Sequence, residues 1–158
     1  MAERIAATIK GDLGPVGIYS AVGYYLAQRE NIFLMGLDTS FSQNLTQIIL
    51  QGEYIYDKVG IGSYLSNLFI NYSNLNNKEF GNSLVVGRVN YSLNDFNSLK
   101  LTTIVHMADG SLGVISAYEK KLTGNLDLNL RYGLFLGASD EIFGSQEDIL
   151  EITLSYPF

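Results

Sequence analysis

At 158 residues the chain has the length of one domain, and with a net charge of -6 and no cysteine it carries no thiolate metal site, disulfide or cysteine nucleophile. Nucleic acid is excluded as a partner, because phosphate backbones are bound by clustered Lys and Arg, and no basic patch occurs in the sequence. Although 47% of the residues are apolar, no uninterrupted apolar run approaches the roughly eighteen residues of a membrane helix. Eleven Tyr, eight Phe and sixteen Gly against two Pro suit pleated strands, whose surfaces favour aromatic and β-branched side chains. The class is all-β.

Side chains alternate between two faces along a strand, and that period runs through most of the chain. Arg4 to Lys10 opposes Ile5, Ala7 and Ile9 to Arg4, Ala6, Thr8 and Lys10. Pro15 to Ala27 opposes Val16, Ile18, Val22, Tyr24 and Leu26 to Gly17, Tyr19, Ala21, Gly23 and Tyr25. In Asn31 to Phe41, Phe33, Met35, Leu37 and Phe41 stand against Gly36, Asp38 and Ser40, and in Leu45 to Asp57, Ile48, Leu50, Tyr54 and Tyr56 stand against Gln47, Gln51, Glu53 and Asp57.

Lys58 to Phe80 interrupts this rhythm. Within it Tyr64, Leu65, Leu68, Phe69 and Tyr72 follow a helical spacing, so residues 58–80 are expected to form a long loop carrying a short amphipathic helix. Alternation resumes in Gly81 to Asn94, Ser98 to Ala108, Leu112 to Leu122 and Leu126 to Leu136, and ends in Asp148 to Phe158, where Leu150, Ile152, Leu154, Tyr156 and Phe158 share one face. Nine strands are expected, or ten if Leu65 to Tyr72 is a strand. Residues 1–158 form one domain.

The charges are sorted by face. Arg4, Lys10, Asp38, Glu53, Asp57, Arg88, Lys100, His106, Glu119, Lys121, Asp127, Arg131 and Glu151 all fall opposite the Leu-rich face, which holds Lys120 as its one charge within the strands. A soluble barrel would turn its apolar face inward around a core or ligand; a membrane barrel would turn it to lipid. Aromatic residues favour the membrane arrangement: Tyr24, Tyr54, Tyr56, Tyr118, Tyr132, Tyr156 and Phe158 lie on the apolar face, several near strand ends where aromatic girdles form. If Phe158 lies at the periplasmic side, the short links fall there, and the two long ones, 58–80 and 139–148, fall outside, the expected asymmetry. An antiparallel up-and-down transmembrane β-barrel is the expected fold.

The run Gly36-Leu37-Asp38, followed by Gly52-Glu53-Tyr54-Ile55-Tyr56, resembles paired strands of bacterial outer-membrane porin-like proteins, in which an inward acid is flanked by outward aromatics. His106 to Ser111 leading into Tyr118, and then Gly133 to Gly144, is similar to the C-terminal strands and outer loop of such porins. The resemblance covers most of the chain by pattern rather than by a strict motif. It implies the bacterial outer membrane and a lipid bilayer as partner; the charges of the inward face, in a barrel larger than nine strands, point to passive diffusion of small polar solutes or ions. The ending Tyr156-Pro157-Phe158 is similar to the signal read by the outer-membrane barrel assembly machinery, which implies that partner through Tyr156 and Phe158; a homo-oligomer is compatible with the family. Asp38, Glu53, Asp57, Arg88, Lys100, His106, Asp127 and Arg131 are the candidate pore-lining residues. A structural or anchoring barrel without conductance and a soluble ligand-binding barrel are the alternatives.

Nine is an odd number, whereas bacterial single-chain barrels close with an even one. Met1 to Arg4 also leads straight into a strand pattern rather than a secretory leader. Together these suggest a partial barrel, the C-terminal portion of a larger one. Chemistry is sparse: His106 is the only His, no nucleophile elbow or phosphate loop is present, and Glu53 and Asp57 stand roughly 13 Å apart along a strand. No enzyme activity, cofactor or metal is expected.

Overall fold

The computed structural model describes residues 4–57 and 83–156. Nine strands follow one another in a single antiparallel meander: β1 Arg4–Leu13, β2 Val16–Tyr25, β3 Glu30–Gln43, β4 Thr46–Asp57, β5 Ser83–Asn94, β6 Asn97–His106, β7 Leu112–Thr123, β8 Leu126–Leu136 and β9 Ile149–Ser155. Each pairs with its sequence neighbour. The expected helix at Leu65 to Tyr72 and the end Phe158 lie outside the described residues. Among those described, no helix is long and apolar enough to cross a membrane.

One end of the sheet is made of two-residue turns at 14–15, 44–45, 95–96 and 124–125. Two of these hairpins turn through left-handed backbone, supplied where it costs least, by Gly14 (φ 62°) and Asn44 (φ 55°), whereas the turns at 95–96 and 124–125 instead follow a register shift in the strand before them. At the opposite end the links are longer: 26–29, 107–111 and 137–148. We call these the turn end and the loop end.

The sheet is open. Among the described residues β1 pairs only with β2, and β9 only with β8, so the expected closure into a barrel is not formed between them. Parity supplies the reason: in an up-and-down meander the first and ninth strands run the same way, and the antiparallel ladder cannot continue from one to the other.

Directly opposed residues share a face, so one perpendicular row can be followed across eight strands: Lys10, Tyr19, Gly36, Glu53, Val86, Ile104, Gly113 and Phe135. It climbs from the turn end of β1 to the loop end of β8. That stagger is the one that tilted strands in a curved sheet require.

Tracing every row assigns the faces as the alternation predicts, with the charged residues together and Lys120 among the leucines. The core, however, lies on the charged face. Ile55, Leu84, Val86, Ile104, Ile115 and Phe135 are buried there at the loop end, together with Ile142 and Phe143 of the 137–148 link. On β5 alone, Leu84 and Val86 of the charged face are 0% and 1% exposed, whereas Val85 and Val89 of the leucine face are 39% and 36% exposed. The enclosed side of the sheet is therefore the one that carries the charges.

Candidate functional site

Two zones divide the enclosed face along the strands. From mid-strand to the turn end it is polar, and its centre is Glu53 on β4. Tyr19 on β2 reaches across Gly36 of β3 to donate its hydroxyl to Glu53 Oε1 at 2.8 Å. Only glycine allows this crossing: a Cβ on Gly36 would meet the Tyr19 ring at 2.4 Å. Gln51 Nε2 donates to Tyr19 Oη (2.7 Å) and to Glu53 Oε1 (3.3 Å). Arg88 on β5 completes the cluster, its guanidinium donating to Glu53 Oε2 at 2.7 Å and to Gln51 Oε1 at 3.2 Å. The Glu53 side chain is 9% exposed and that of Arg88 22%, so the pair is held largely out of water, where charge-assisted hydrogen bonds are strong.

Further round the sheet the pairs become wetter. Lys100 Nζ on β6 donates to Glu119 Oε1 on β7 at 2.6 Å, and Ser98 Oγ donates to Glu119 Oε2 at 3.2 Å. Arg131 on β8 stands 3.9 Å from Glu151 on β9. Asp38 lies over Gly17, where a Cβ would sit 2.8 Å from its Oδ1. Asp127 belongs to a recess of about 310 Å³ at the turn end, shared with Ser98, Glu119, Lys121, Asn129 and Ser155.

Asp57 and His106 occupy the other zone. Both are buried at the loop end, at 5% and 2% exposure, so the eight residues singled out from sequence share one face but do not form one ring. Here the wall is apolar and, apart from Asp57 at the end of β4, its buried polar groups are gathered at the β6–β7 turn. Asp109 Oδ1 accepts from the Ser111 backbone N–H (2.9 Å) and the Ser111 hydroxyl (2.7 Å), and Asp109 Oδ2 accepts from Ile142 N–H at 3.0 Å. His106 Nδ1 lies 2.7 Å from Asp109 Oδ1, close enough for an ion pair but off the line of a hydrogen bond, and Nε2 has no partner among the described residues. Burial opposes ionisation of Asp109, but the donors from Ile142 and Ser111 and the adjacent His106 outweigh it and hold the carboxyl below the usual Asp range.

Ser, His and Asp thus meet, but in the wrong order for nucleophilic catalysis. A triad needs the imidazole between hydroxyl and carboxylate; here Asp109 stands between Ser111 and His106. Among the described residues no three His, Asp or Glu group as metal ligands.

Tyr19, Gln51, Glu119, Glu151, Asp109 and Ser111 were not among the sequence-derived site residues. Tyr19 did leave a signal, as a large side chain at a charged-face position flanked by small ones. The bond from Ile142 to Asp109 did not, because the two are 33 residues apart. Tyr156 lies exposed just beyond β9.

On the leucine face, aromatics collect at both strand ends: Tyr24, Phe33, Tyr54 and Tyr56 toward the loops, Phe41, Tyr91 and Tyr118 toward the turns. Phe33 and Tyr54 pack with ring centres 6.5 Å apart. Compared with known proteins, the chain matches no family model, no curated protein and no solved structure.

Proposed function

We propose that this chain forms the wall of a bacterial outer-membrane β-barrel, with its leucine face against lipid and its charged face toward a lumen through which small polar solutes or ions diffuse. The observation that carries the proposal is the inverted exposure of the two faces. Soluble monomers rarely leave contiguous apolar patches larger than a few hundred Å² uncovered, yet apolar side chains stand exposed across the whole sheet, from Ile9 (77%) through Met35 (50%) to Ile152 (64%). Hydrocarbon covers such a face at no cost.

Strand lengths agree with this reading. Eight of the nine strands have 10 to 14 residues, and about 9–11 tilted residues cross a bilayer's hydrocarbon core. The aromatics at both ends mark the levels where girdles belong, and Lys120 falls near the turn end of β7, where a lipid-facing cation costs about 0–1 kcal/mol. Inside, charges at close quarters select the solutes that pass. Barrel assembly machinery reading the C-terminal strand, and a homo-oligomer, are the partners this proposal carries forward.

A structural barrel without conductance is the second reading. It is favoured by the cross-strand pairing of Arg88, Lys100 and Arg131. Purified protein in planar bilayers separates the two: the channel reading expects unitary conductance, with Arg88→Glu shifting ion selectivity, and a silent bilayer supports the structural one. A protein that remains monomeric in detergent-free buffer contradicts both.

A further inference from the structure

We propose that the twelve-residue link 137–148 is a plug held in the loop-end mouth by Asp109 and Ser111, and that releasing this latch opens the mouth. The proposal rests on the enclosed face being a lumen. Neighbouring antiparallel strands can be joined by two residues, and four hairpins of this sheet are. The link between β8 and β9 instead folds back over the enclosed face and buries Ile142 and Phe143 to 4% and 2% exposure. The Phe143 ring stacks on Phe135 at 6.0 Å. Gly113 opposite leaves room for both rings, since a Cβ there would already meet them at 3.4 Å.

Burying loop backbone requires partners for its N–H groups, and the β6–β7 turn provides them. Ile142 N–H donates to Asp109 Oδ2, and Phe143 N–H to Ser111 Oγ at 3.4 Å. The acceptors are set in advance, because the Ser111 amide and hydroxyl both fix Asp109 Oδ1.

The link is also built to move as a unit. Ala138 N–H donates to Glu141 Oε2 (2.6 Å), Glu141 N–H to Ala138 O (2.9 Å) and Gln146 N–H to Phe143 O (3.0 Å). Its base is tied separately to β8, where Phe135 N–H and the Tyr132 hydroxyl both donate to Asp148. The structure holds the docked position; the proposed release swings the segment out from Asp148, which supplies the second position that a two-state gate requires.

Because the chain has no cysteine, Ile142→Cys supplies a single reporter, read in vesicles with a membrane-impermeant maleimide. Adding Asp109→Asn and Ser111→Ala is expected to raise its labelling rate at least tenfold and to raise conductance in planar bilayers. An unchanged labelling rate overturns the latch. Faster labelling without any conductance leaves the latch standing and overturns the lumen reading instead. If the triple variant does not fold by far-UV circular dichroism, Ser111→Ala with the reporter removes the hydroxyl's two bonds, from Phe143 N–H and to Asp109, and keeps the bond from Ile142 to Asp109; a several-fold rise is expected, and no rise overturns the proposal.

Discussion

The two zones of the enclosed face are made of the same strands, yet they are held together by different physics. At the loop end Leu84, Val86, Ile104 and Phe143 are sealed at 0–2% exposure, and their contribution is apolar burial, about 1.5–3 kcal/mol per large side chain. Toward the turn end the same face is closed by hydrogen bonds and ion pairs that grow wetter from Glu53–Arg88 to Lys100–Glu119. One zone is a dry apolar seal and the other a polar belt, wettest at Lys100–Glu119. A sheet face read only as inward or outward hides that difference.

The contrast can be broken first at the seal. Phe143→Ala removes a buried ring stacked on Phe135 and is expected to cost about 3–5 kcal/mol, read as a lowered denaturant midpoint in detergent. A loss below about 1 kcal/mol would mean that the mouth is not packed as described.

In the belt the largest effect belongs to Glu53→Gln. Removing one partner of a buried pair costs about 3–5 kcal/mol, and because the Arg88 side chain keeps 22% exposure the lower end of that range applies. Equilibrium unfolding checks this, and Tyr19→Phe should lose less, about 1 kcal/mol for each of the two hydrogen bonds its hydroxyl makes.

Acid acts on the latch. The Asp109 carboxyl is held below its ordinary range, so its contribution is complete above the unfolded value of about 3.9 and fades as pH falls through the lower folded one. The titratable neighbours are His106, whose Nδ1 faces the carboxylate, and Glu141, engaged with Ala138. Labelling of the Ile142→Cys reporter should therefore stay slow down to about pH 4 and accelerate only in stronger acid; acceleration between pH 7 and 5 would place the release elsewhere. The smallest change is expected at the wet end, where Lys100→Ala breaks a pair that is 45% and 39% exposed and should shift stability by less than about 1 kcal/mol.

Alternation made the strands, their faces and the turn end legible, because a period of two is written in single residues and needs no tertiary knowledge. It also put the eight candidate residues on one face. The apolar zone was visible only in part: Ile55, Leu84, Val86, Ile104 and Phe135 hold charged-face positions, all near the loop ends of their strands, and this clustering shows once strands are aligned rather than read one by one. Nothing local announces that Tyr19 crosses β3 to reach Glu53, or that residues 142 and 143 return to Asp109 and Ser111, since those contacts span more than thirty residues. The odd strand count pointed to the missing closure, but not to what stands beside β1 and β9. The pattern within a strand does not name its neighbour.

If the leucine face meets lipid, as proposed, two adjacent residues of β5 report it. With no Trp in the chain, single Trp probes at Val89 and Asn90, which lie on opposite faces of β5, can be read in vesicles whose acyl chains carry bromine. Val89→Trp is expected to be strongly quenched and Asn90→Trp weakly. The reverse order, or equal quenching of the two, would contradict the proposal.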